Sequence, residues 1–160
     1  MWVKTVQDED FVNYKKPSMF ISTIKCSFKC DRECGMKVCQ NSELANFEDI
    51  FIDDKKLIER YLSNPITTSI VIGGLEPFDT FEDIFKFISL LRKTYKVDDD
   101  IVIYTGYYKN EIETKLFRLS STFHNIIIKY GRFRPNNEKH YDEVLGIKLI
   151  SDNQYAERIC

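Results

Sequence analysis

Long apolar runs are missing from this chain. Nothing in its 160 residues approaches the roughly 18 apolar residues that a membrane-spanning helix needs. The opening stretch, MWVKTVQDEDF, also lacks the basic-then-apolar order of an export signal. There is no excess of either charge: 23 lysines and arginines stand against 25 aspartates and glutamates, a formal net charge of −2. Neither nucleic acid nor an anionic membrane is therefore expected as a main partner. No internal repeat, low-complexity stretch or linker interrupts the sequence, so residues 1–160 are expected to form a single domain. The two histidines, His124 and His140, sit in no motif and read as surface residues. With no export signal, a cytoplasmic location is expected, and with it a reducing environment.

Cysteine, by contrast, is concentrated. KCSFKCDRECGMKVCQN, residues 25–41, carries Cys26, Cys30, Cys34 and Cys39 in the spacing C-x3-C-x3-C-x4-C, while the fifth cysteine, Cys160, ends the chain. A disulfide framework fits poorly with a reducing compartment and an odd number of thiols. Metal or redox chemistry fits better. Structural zinc sites usually pair two short hooks across a longer loop, and the spacing here would crowd one ion. A four-cysteine iron–sulfur carrier and a set of free structural thiols are the other readings of the same residues.

The rest of the chain alternates between strand and helix patterns. PSMFISTI (17–24), TTSIVI (67–72), DIVIY (100–104), NIIIKY (125–130) and VLGIKLI (144–150) read as five strands. DDKKLIERYL (53–62) reads as a helix with Asp53 or Asp54 as its cap. Asp79 or Thr80 is expected to cap a second, in which Phe81, Ile84, Phe85, Ile88 and Leu91 form one apolar stripe. NEIETKLFRLS (110–120) is a third, with Ile112, Leu116 and Leu119 on one side. Nearly continuous apolar strands joined by helices describe a parallel sheet covered on both faces. The expected fold is α/β, a short open or partial (β/α) barrel with a mainly parallel sheet. In such a sheet the cysteine loop, GGLEPFD, TGYYKN and GRFRPNN all fall at the carboxyl edge, where α/β proteins build their sites.

With the loops placed, CSFKC opening a loop after the first strand resembles the cluster motif of the radical S-adenosylmethionine (SAM) enzymes. The sequence is most similar to the small activating proteins of anaerobic ribonucleotide reductase, and the likeness runs over most of the chain. DEDFVNY, GGLEP, VIYTGY, GRF and LGIKLISDNQ resemble successive segments of that group, in the same order. The resemblance implies a [4Fe–4S] cluster held by three cysteines, with SAM bound at the fourth iron and cleaved reductively to a 5′-deoxyadenosyl radical. Its C-x3-C-x2-C spacing is not kept here. Cys26 and Cys30 combine either with Cys34 or with Cys39, and VCQNS has the hydrophobic residue and x-Asn pair that flank the family's third cysteine. The resemblance thus selects Cys26, Cys30 and Cys39 as metal ligands and makes 31–37 an insertion.

It also implies SAM contacts from Gly73, Gly74, Glu76, Thr105 and Lys129, although each has a plainer reading. The glycines could end a strand in a tight turn, Glu76 could sit near a helix N-terminus, Thr105 with Gly106 could be an ordinary strand exit, and Lys129 could snorkel at the sheet end. Leu75, between the glycines and Glu76, departs from the family's loop. The implied partners are a glycyl-radical enzyme such as anaerobic ribonucleotide reductase and a reductant such as flavodoxin or ferredoxin. Residues 131–143 are expected as a solvated loop that meets a protein partner, and Cys160 as an incidental thiol on a mobile terminus. A non-catalytic zinc or iron–sulfur adaptor module is the competing account.

Overall fold

The protein is described by a computed structural model covering residues 1–160. Its main sheet has six strands: β1 (Thr5–Asp10), β2 (Ser18–Ser22), β3 (Ser69–Gly73), β4 (Asp100–Tyr104), β5 (Ile126–Tyr130) and β6 (Tyr155–Arg158). They lie side by side in chain order, β1 to β6. β2, β3, β4 and β5 run parallel, while β1 and β6 close the two ends antiparallel. A sheet wound steadily in one direction is the core of a partial barrel, and both of its ends remain open edges. The helices are α1 (Lys29–Cys34), α2 (Asp54–Ser63), α3 (Phe81–Lys93) and α4 (Glu113–Ser120).

Strand register explains why the parallel strands are apolar along their middles. Met19, Ile70, Ile101 and Ile126 stand level, as do Ile21, Ile72, Ile103 and Ile128, and all eight join the larger core. They pack against Leu57, Ile58 and Tyr61 of α2, Ile84, Phe87, Ile88 and Leu91 of α3, and Leu116 and Leu119 of α4. The residues between them, Val71, Val102 and Ile127, point the other way and meet Tyr14, Leu145, Leu149 and Ala156. Each side chain on either face is thus removed from water, worth about 1.5–3 kcal/mol apiece. The Asp53 carboxylate accepts a hydrogen bond from Lys55 N at 2.9 Å, so Asp53 is the cap of α2. No helix is long and apolar enough to cross a membrane.

Two expectations about the end of the chain need correction. VLGIKLI does not join the main sheet: Ile147–Leu149 pairs with His140–Asp142 in a small antiparallel hairpin that lies over the inner face. The closing strand is YAER (155–158), whose single buried residue, Ala156, gives no apolar run to read. Cys160 is not on a loose end, because its carbonyl accepts a hydrogen bond from Ile126 N at 3.2 Å and its side chain packs on the core.

Candidate metal centre

The parallel strands β2 to β5 deliver their following loops to one edge, and hydrogen bonds knit the loops together there. Glu76 N donates to Lys25 O at 2.7 Å, and Ser27 N to the Asp79 carboxylate at 2.7 Å, fastening the cysteine loop to the loop after β3. Asn41 Nδ2 reaches Gly74 O at 2.7 Å and ties down the far end of the same loop. Gly74 has a φ of 77°. A Cβ on it would stand 2.9 Å from both Leu44 and Ser22, so glycine alone allows this crossing of the two loops.

The loops enclose a cavity of about 540 Å³ whose wall includes Cys26, Cys30 and Cys39 but not Cys34. The local fold explains the difference. Residues 29–34 form α1, and the Asp31 carboxylate accepts hydrogen bonds from the backbone N–H groups of Val38 and Cys39, both at 2.8 Å. The intervening residues are looped out, Cys34 among them, and Cys39 is drawn to the cavity. A more open hollow of about 650 Å³ lies on the outer side of the loop and shares only Cys26 and Leu75 with the first. With a single thiol in its wall, it offers no set of sulfur ligands.

The Cys26 sulfur accepts the backbone N–H of Phe28 at 3.3 Å. Burial nevertheless pushes the Cys26 thiol up to about 12 and raises Cys30 and Cys39 as well. Such thiols hold their protons until a metal displaces them. No three cysteine, histidine, aspartate or glutamate side chains gather closely enough for a single metal ion. A cubane, whose irons sit at separate corners, asks for thiolates set farther apart.

The other cavity residues are arranged around a buried carboxylate and a buried ammonium. Glu76 is 6% exposed; its Oε1 accepts from Thr105 Oγ1 at 2.7 Å and Phe78 N at 3.1 Å, and its Oε2 from Gly106 N at 2.8 Å. Burial outweighs those bonds and lifts its carboxyl to about 7. Lys129 is 7% exposed, donates to Gly131 O at 3.2 Å and lies 5.7 Å from the Tyr104 ring centre. It does not snorkel into solvent, and burial lowers it to about 8 against the pull of Cys30 and Glu76. Thr105 and Gly74 also line the cavity. Gly73 lies just beneath it within β3, where a Cβ would crowd Tyr104 and Phe20 at 3.2 and 3.3 Å.

Residues beyond that set form an ionic cluster next to the cavity. Arg132 is 5% exposed, so the loop 131–143 is not solvated at its start. The Arg132 guanidinium donates to Glu111 at 2.6 Å and lies 3.3 Å from Glu33 of α1, while Arg134 reaches the same Glu33 at 2.9 Å. Burial acts to raise Glu111, yet the bonds from Arg132, Tyr108 N and Lys29 hold it down at about 2. Asp31, Glu33 and Glu111 carry no local sequence signal, because only the folded loops bring them to their partners. His124 is exposed beside Asp98, whereas His140 is half-buried in the hairpin.

A family model described as a 4Fe-4S single cluster domain matches residues 18–154, from the first residue of β2 to the residue before β6. No curated protein and no solved structure matches the chain.

Proposed function

Because the chain belongs to the 4Fe-4S single cluster domain family, we propose that its [4Fe–4S] cluster is held by Cys26, Cys30 and Cys39 and serves to cleave SAM. One observation carries this reading: the cavity that gathers those three thiols also presents a buried ammonium and a buried carboxylate, Lys129 and Glu76. Three protein ligands leave one iron open to an exogenous molecule, the logic of a substrate-binding metal centre. The methionyl end of SAM carries an ammonium and a carboxylate of its own. A cavity of about 540 Å³ is within the roughly 300–1,000 Å³ usual for small-molecule sites.

In this reading the residues divide the work. Glu76 receives the SAM ammonium on the acceptor capacity that its three hydrogen bonds leave over, and Lys129 receives the SAM carboxylate. Thr105 and the Gly106 amide hold the Glu76 carboxylate in place. Gly74 lets backbone approach the ligand without a side chain between them. The reduced cluster supplies the electron that splits SAM into methionine and a 5′-deoxyadenosyl radical. An adaptor or simple electron carrier has no use for a buried cation and anion beside its thiols, which favours the catalytic account. The radical's destination is a glycine of a partner, a glycyl-radical enzyme of the anaerobic ribonucleotide reductase type. A flavodoxin or ferredoxin in the same cytoplasm supplies the electron.

The test is chemical. Anaerobically reconstituted protein with SAM and dithionite releases 5′-deoxyadenosine and methionine, and Glu76→Ala or Lys129→Ala weakens SAM binding while keeping the cluster. A fully loaded, reduced protein that forms no 5′-deoxyadenosine is a carrier, not a SAM-cleaving enzyme. With the partner enzyme present, a SAM-dependent glycyl-radical doublet in electron paramagnetic resonance (EPR) identifies the acceptor.

A further inference from the structure

With Cys26, Cys30 and Cys39 as the cluster ligands, the reading on which this inference rests, the three sulfurs do not share one electrostatic setting. Cys26 has the carboxylates of Glu76 and Asp79 near it, and Cys39 that of Asp31. Cys30 instead has two buried cations beside it: Lys129, in the wall of the same cavity, and Arg132, which with Cys30 packs around Gly106. Lys129 arrives through strand register, paired with Tyr104 at the end of β4. Arg132 stands beside Gly106, on which Cys30 also packs. A Cβ there would lie 3.6 Å from Cys30 Sγ and 3.9 Å from Arg132 Cγ, so the sulfur and the arginine stem approach each other across a residue with no side chain.

The pairing of Arg132 does not cancel its charge at the sulfur. Glu111 and Glu33, its two carboxylate partners, have side chains 26% and 34% exposed, against 6% for Arg132. Water screens the two acids more than it screens the cation. The Tyr108 ring, 4.5 Å from the guanidinium, covers part of it. Lys129 forms no salt bridge, and its one hydrogen bond goes to a carbonyl.

We propose that Lys129 and Arg132 form a cationic flank at Cys30 that raises the reduction potential of the bound cluster. Reduction here is a one-electron step: the oxidised cluster accepts an electron from an external low-potential donor, dithionite in the assay, and its charge becomes more negative by one. No bond breaks and no proton moves. Nearby positive charge stabilises the more negative state, and net charge and hydrogen bonds to sulfur are among the features that set such potentials.

Potentiometric titration of the SAM-free holoprotein, followed by EPR of the reduced cluster, reads this out. Lys129→Met and Arg132→Gln each make reduction about tenfold less favourable, ~59 mV for a one-electron couple. Arg132→Lys keeps the wild-type value. Glu111→Gln, which leaves Arg132 without its nearest counter-charge, shifts the potential upward. A purely structural arginine would not give opposite signs in Arg132→Gln and Glu111→Gln. The proposal is overturned if Lys129→Met and Arg132→Gln stay within about twofold of the wild-type equilibrium, or if Glu111→Gln shifts downward. Should Arg132→Gln fail to keep a cluster, the pair Arg132→Lys and Glu111→Gln decides the same question. A wild-type protein that takes up no cluster overturns the ligand assignment along with it. The absence of SAM keeps the result independent of whether SAM is the ligand.

Discussion

Replacing Gly74 with alanine tests whether the crossing of the cysteine loop over the end of β3 depends on a missing side chain. Two costs add at this position. The left-handed backbone, at φ 77°, costs an L-residue about 1–2 kcal/mol. The new Cβ would also meet Ser22 Cβ and Leu44 Cδ2 at 2.9 Å, and relieving such overpacking costs about 1–3 kcal/mol. Reduced freedom of the unfolded chain returns about 0.4–1 kcal/mol. Gly35, at the end of α1, has a φ of 67° but nothing within 4 Å of its hypothetical Cβ. Gly35→Ala thus carries the backbone cost alone, and the two variants differ by the overpacking of about 1–3 kcal/mol. At about 2–4 °C per kcal/mol for a chain of this size, Gly74→Ala unfolds about 2–12 °C below Gly35→Ala. Circular dichroism melts of the metal-free protein under reducing conditions measure this. Equal melting temperatures for the two variants would refute the close crossing.

The cavity yields two more expected outcomes. Asp31→Ala removes both hydrogen bonds that draw Cys39 inward; bonds to a charged acceptor are worth about 1.5–3 kcal/mol each, so loss of iron to a chelator accelerates by roughly tenfold or more. Glu76 gives the metal-free protein a pH dependence. Its folded value of about 7 lies above the ordinary 4.5, so the folded state binds the proton more tightly, and this contribution is complete below pH ~4.5 and lost as pH rises through about 7. Urea titrations between pH 5 and 8 should show a decline on the order of 3 kcal/mol from this group, absent in Glu76→Gln.

The parts of the fold that sequence reveals are those buried on both sides. SIVIG, DIVIY and IIIKY each place successive residues in opposite cores, so three consecutive positions in each are aliphatic and the strands stand out. Edge strands give no such signal. TVQDED pairs on one side only and buries none of its residues but Asp10, and YAER buries one alanine. VLGIKLI misleads for the opposite reason, since it is apolar where it covers the inner face as a hairpin rather than extending the sheet. At the site, strand-end positions were legible because a parallel sheet sends its loops to one edge. The contacts that fasten those loops were not: Asp31 grips backbone several residues away, and Arg132 meets Glu33 and Glu111 from distant parts of the chain. Gly106 reads as a turn, while only the fold shows Cys30 and Arg132 gathered around it.

The ligand assignment is tested most directly by iron and acid-labile sulfide content in Cys34→Ala and Cys39→Ala after identical anaerobic reconstitution, with EPR of the reduced samples. Cys39 lines the cavity with Cys26 and Cys30, whereas Cys34 does not. The account predicts that Cys34→Ala keeps the iron, sulfide and reduced-cluster signal of the wild type, while Cys39→Ala loses all three. A Cys39→Ala protein that retains the cluster, with Cys34→Ala failing to hold it, would contradict the account.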